Sequence, residues 1–116
     1  MAMANLDTNK KVCKYNTVNP TVLTAFDGTD GAEYTVTAQD ERLILIIENT
    51  HTAANDVTIV APTNKAYAGA VADVKVSVPA GNVAAIPVES VKFMDTVTKK
   101  ITVKGAATVK GAVFKI

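Results

Sequence analysis

DVKVSVP at 73–79 carries the clearest hydrophobic pattern in the chain, with Val74, Val76 and Val78 alternating with Lys75 and Ser77. Successive side chains of an extended strand point to opposite faces, so this period of two predicts a strand with one face in a core and one in solvent. Pro79-Ala80-Gly81-Asn82 has turn composition, and VAAIPVES then runs back with Ala84, Ile86 and Val88 on one face. The two segments predict a β-hairpin. Pro87 has no N–H to donate, which puts its strand at a sheet edge or turns its Pro outward.

RLILIIE at 42–48 differs, being continuously apolar between charges, and predicts a strand covered on both faces. NTHTAAND follows as a turn, and VTIVAP resumes as a strand with Val57 and Ile59 on one face and Thr58 on the other. KITVKGA and TVKGAVFKI alternate in the same way, and their echo predicts two similar neighbouring strands. KVCKYNTV, TVLTAF and YTVTA supply shorter candidates. DGTDGAE reads as a turn, because Asp-Gly pairs accept positive φ and Asp caps local backbone donors. NKAYAGAVA reads as a loop with Tyr67 as an inward plug, and VKFMDTVTKK as a turn or short strand above a buried Phe93. Residues 1–10 are polar and irregular and read as an arm.

About eight short strands spaced at roughly 8–12 residues predict an all-β antiparallel β-sandwich, jelly-roll or immunoglobulin-like. Residues 1–19 form the N-terminal arm and first strand, and residues 20–116 a single sandwich domain.

Composition narrows the chemistry. Hydrophobic residues are 48% of 116, yet aromatics are 5% and Trp is absent, so the core is built from Val, Ile, Leu and Ala. A net charge of +1 offers no field for nucleic acid or an anionic membrane. Cys13 is the single cysteine and excludes an intramolecular disulfide. MAMANLDTNKK has no apolar segment after a basic one and does not read as a signal peptide. LILII is far shorter than the roughly 20 residues of a membrane-spanning helix.

His51 is the only histidine. Zinc sites draw on three or four nitrogen or sulfur donors, which a lone His51 with a distant Cys13 does not supply. Ser77, Ser90 and Cys13 are the nucleophile candidates, and none lies in a strained G-x-S-x-G turn. Asp27, Asp30 and Glu33 form the most acidic loop, but without the spacing of a calcium loop, and a turn accounts for them better than Ca²⁺. Lys10, Lys11 and Lys14 read as strand-edge charges that discourage aberrant pairing. No catalytic, cofactor-binding or metal-binding residue is assigned.

Taken together, RLILIIENTHTAANDVTIVAP, VADVKVSVPAGNVAAIPVESVKF and ITVKGAATVKGAVFKI resemble small β-sandwich virion accessory proteins of tailed bacteriophages, over roughly residues 40–116. The resemblance implies a non-enzymatic decoration or cement protein, without cofactor, that binds the outside of a capsid and reinforces it. Its partners would be the major capsid protein or other virion subunits, bound as a homo-oligomer or in many copies on a lattice. It would be made in the host cytoplasm and end on the capsid surface, engaging neither nucleic acid nor membrane. Asn5, Lys10, Lys11 and Lys14 on the arm are then the candidate partner contacts. Two other readings stay open: a tail or head-tail connector component, and a surface- or carbohydrate-binding module whose sugar platform would have to come from Tyr15, Tyr34 or Tyr67.

Overall fold

The computed structural model describes residues 3–13, 21–37, 42–65 and 69–115. Among these described residues, ten strands make two sheets. One holds β1 (Ala4–Asn5), β4 (Ala32–Thr35), β9 (Lys100–Lys104), β6 (Asn55–Ile59) and β7 (Val74–Val78), in that spatial order. The other runs β2 (Lys11–Val12), β10 (Val109–Lys115), β5 (Arg42–Asn49) and β8 (Val83–Glu89), with β3 (Thr24–Ala25) also paired to β10. One helical turn, α1 (Ser90–Phe93), joins β8 towards β9 and buries Phe93 as expected.

Without β1 and β2 the sheets read β4-β9-β6-β7 and β3-β10-β5-β8, every pair antiparallel. Each connection from β3 to β10 changes sheet except that between β6 and β7. This is the connectivity of an eight-stranded jelly roll, one of the two sandwich types expected. The purely antiparallel expectation is corrected at two places, since β1 pairs with β4 and β2 with β10 in parallel.

Crossing between sheets overturns two local readings. The valine strand and VAAIPVES are not a hairpin: β7 pairs with β6 and β8 with β5, so Pro79–Asn82 is an arch from one sheet to the other. ITVKGAA and ATVKGAV are likewise not neighbours, because β9 and β10 lie in opposite sheets. Periodicity fixes which face of a strand turns inward, as Val78, Val88, Ile101 and Val103 show, although Val74 at the start of β7 stays exposed, and it carries no information on the pairing partner.

Between the sheets lie Tyr34, Leu43, Leu45, Ile47, Val57, Ile59, Val78, Ile101, Val103, Val109 and Val113, all buried. In β7 burial is graded, from Val74 at 42% exposed to Val78 at 1%. β8 is an edge strand, with Pro87 on its exposed side, in keeping with the missing N–H. Phe26 wedges between the sheets against Gly105 and Gly111, where a Cβ would lie 3.1 and 2.9 Å from its ring. Gly31 closes the β3–β4 turn with φ +84, and a Cβ there would sit 2.2 Å from the Val103 carbonyl oxygen.

Two further expectations change. β5 is covered on one face only: Leu43, Leu45, Ile47 and Asn49 are buried, whereas Ile44 and Ile46 on the other face are half-buried. Residues 4–9 are docked to the fold instead of forming an irregular arm. Leu6 is fully buried in the core, and Asp7 accepts from Thr35 N at 2.8 Å and Thr35 Oγ1 at 2.6 Å. One leucine among polar neighbours is enough to anchor the segment, although it makes no period.

Candidate functional site

At one end of the sandwich the β5–β6, β7–β8 and β9–β10 arches cluster around Asn49. This residue continues the inward series Leu43, Leu45, Ile47 and is fully buried. Its Nδ2 donates to Ala53 O and Val78 O, both at 2.9 Å, and its Oδ1 accepts from His51 N and Asn55 Nδ2, both at 3.0 Å. Main-chain bonds add the turn at 79–82, with Asn49 N donating to Asn82 O and Gly81 N to Asn49 O. Thr50 N and Oγ1 both donate to Thr108 O. Every hydrogen-bonding position of the Asn49 amide is filled, so it acts as a staple between arches.

His51 stands exposed beside it, its Nδ1 accepting from Ala53 N at 3.1 Å. Cys13 N donates to Lys115 O, which pairs with Leu43 at the far end of β5. Six residue steps of a strand separate the two ends, roughly 20 Å, so Cys13 and His51 cannot act on one atom. Ser77 is exposed on β7 and Ser90 is buried at α1. Among the described residues no group of three or more His, Cys, Asp or Glu is placed to hold a metal. Asp27 Oδ1 instead accepts from Thr29 N at 2.9 Å and Asp30 N at 3.0 Å, and these N–H groups, that of Asp30 foremost, hold its carboxyl below the ordinary value.

Asn5 is exposed but caps the following turn, its Oδ1 accepting from Asp7 N at 2.9 Å. Lys10 Nζ donates to Thr35 O at 3.1 Å, and Lys11 is exposed on β2. Lys14, Tyr15 and Tyr67 lie outside the described residues. Tyr34 is fully buried, and burial pushes its phenol well above the ordinary value, so it offers no sugar platform.

A cleft of about 250 Å³ lies where β4 and β9 meet the 60–63 and 93–98 segments. Its charged groups are bonded internally. Lys100 Nζ donates to Glu33 Oε1 at 3.0 Å, and Asp95 Oδ1 accepts from Val97 N at 2.9 Å and Thr98 N at 3.2 Å. Those two N–H groups, Val97 first, hold the Asp95 carboxyl below its ordinary value.

The outward face of β8, β5 and β10 is different in kind. Cross-strand register sets Pro87, Ile44 and Phe114 in one row and Ala85, Ile46 and Ala112 in the next. Cys13, Ile44, Ile46 and Phe114 line a wholly apolar depression of about 390 Å³ there. Charges close both ends, Glu89 beside Arg42 at one and Glu48 beside Lys110 at the other. An apolar centre with a charged rim is the anatomy of a protein-binding face. The sequence signal for it is Ile44 and Ile46, the half of the LILII run that the core does not take. No protein-family model, curated protein or solved structure matches the chain.

Proposed function

We propose that this chain is a non-enzymatic structural protein of a tailed-bacteriophage virion, bound to the outside of the capsid as a decoration or cement protein. The observation that carries this reading is the apolar, charge-rimmed face of β8, β5 and β10, which suits contact with another subunit of an assembly, a second copy of this chain included. The segments that resemble phage accessory proteins include these same strands. A jelly roll is a common architecture of capsid-associated domains, which adds an argument by analogy. Many copies on a repeating lattice gain occupancy through multivalency, so a modest face per copy suffices.

Gold-labelled antibody against the chain, applied to particles produced from the genome that encodes it, tests the reading. Label spread over the head, with saturable binding of added protein to undecorated capsids, is the expected result. Label confined to the tail or neck assigns it to the tail or connector class, and unlabelled particles overturn a virion role.

A further inference from the structure

We infer that the face formed by β8, β5 and β10 pairs two copies of this chain about a two-fold axis. The inference rests on the reading of that face as a protein interface and names its occupant.

Four rows cross the face: Glu89–Arg42, Pro87–Ile44–Phe114, Ala85–Ile46–Ala112 and Val83–Glu48–Lys110. A two-fold axis laid on the face along the hydrogen-bonding direction, midway between the two apolar rows, exchanges those rows and keeps each strand over its own counterpart. Phe114 then lies over the partner's Ala112, Ile44 over the partner's Ile46, and Pro87 over the partner's Ala85. At both ends Arg42 meets the partner's Glu48.

Charge favours this operator, because it sets Arg42 against the partner's Glu48 at both ends of the apolar rows. The alternative axis, along β5, places Arg42 on Arg42 and Glu48 on Glu48, which repel. Arg42 and Glu48 stand on one strand at equal distances from the midpoint between Ile44 and Ile46, so one attraction is used twice, as an isologous interface demands.

Three strands about 4.8 Å apart and six residue steps of about 3.4 Å give a face of roughly 300 Å² in projection. Two such faces make about 600 Å², below the roughly 1,200 Å² at which stable specific interfaces begin, so the pairing is weak and readily reversible.

Sedimentation velocity across the micromolar range tests this on the full chain, with circular dichroism confirming that each variant is folded. Wild type should show a concentration-dependent monomer–dimer equilibrium. Phe114→Asp, Arg42→Glu and Glu48→Arg should each remain monomeric. Mixing Arg42→Glu with Glu48→Arg in equal amounts should restore the dimer, because each charge then finds its opposite, and the double variant should restore it alone. Wild type that stays monomeric throughout, or a mixture that fails to associate, overturns the inference. Monomeric protein that still labels phage heads removes the dimer and leaves the proposed function standing. A dimer with unlabelled particles does the reverse.

Discussion

Replacing Asn49 with Ala tests whether one amide holds the arched end of the sandwich together. Four side-chain hydrogen bonds vanish at once. The bond to Val78 O is buried, so that carbonyl is orphaned in a dry site at a cost of about 1–3 kcal/mol. The other three bonds are only part-buried, and their partners recover part of the loss from water, at about 0.5–1 kcal/mol each. The expected total is about 2.5–6 kcal/mol, a large share of the roughly 5–15 kcal/mol by which ordinary domains are stable. At roughly 4 °C per kcal/mol for a chain of this size, the melting midpoint should fall by roughly 10–24 °C. Urea titration followed by circular dichroism measures the same loss isothermally. His51→Ala is the matched control, because His51 is exposed and its ring accepts one local bond, and it should cost less than about 1 kcal/mol. If Asn49→Ala loses no more than His51→Ala, the staple is not structural and the ranking of interactions at this end is wrong.

Gly31→Ala should cost at least about 3 kcal/mol in the same titration, combining left-handed backbone strain with a clash against Val103 O, and a loss under about 1 kcal/mol would show that the turn relaxes freely. The Tyr34 hydroxyl is buried without a hydrogen-bond partner among the described residues, so Tyr34→Phe should leave stability unchanged or raise it by up to about 1 kcal/mol, and a marked loss would reveal a bond to that oxygen. The Asp95 carboxyl is held below its unfolded value of 3.8, so its contribution is fully present above that pH and is lost as pH falls through the lowered folded value. Asp95→Asn should therefore melt below wild type at neutral pH and converge with it as pH falls below 3.8 through the lowered folded value, whereas a constant gap would remove the carboxylate from the account.

The strands and their inward faces were readable because a period of two leaves a mark wherever one face is wet, as Val57, Ile59, Ile101 and Val103 show. Sheet membership was not readable. Pro79–Asn82 suits a hairpin and an arch equally, and only the pairing of β7 with β6 and β8 with β5 decides between them. Asn49 looked like a turn former by residue type, yet counting in twos from Leu43 through Leu45 and Ile47 reaches it, so its burial was within reach of the pattern. The outward face of β5 was half legible: an apolar run suggested two covered sides, and only the side of Leu43, Leu45 and Ile47 is buried. Leu6 left no pattern, because a single anchor residue has no period.

The arches have a temporal consequence. Of the connections from β3 to β10, only β6 to β7 joins strands that pair with each other, so the chain has almost no local contact with which to begin folding. Residues 109–115 lie between β5 on one side and β2 and β3 on the other, which means that their sheet cannot close until they have been synthesised. Domains dominated by such distant pairings fold in about milliseconds to seconds, far more slowly than helical bundles of similar length. Until then the hydrophobic side of β5 has no cover, and the newly made polypeptide is exposed to aggregation throughout that interval.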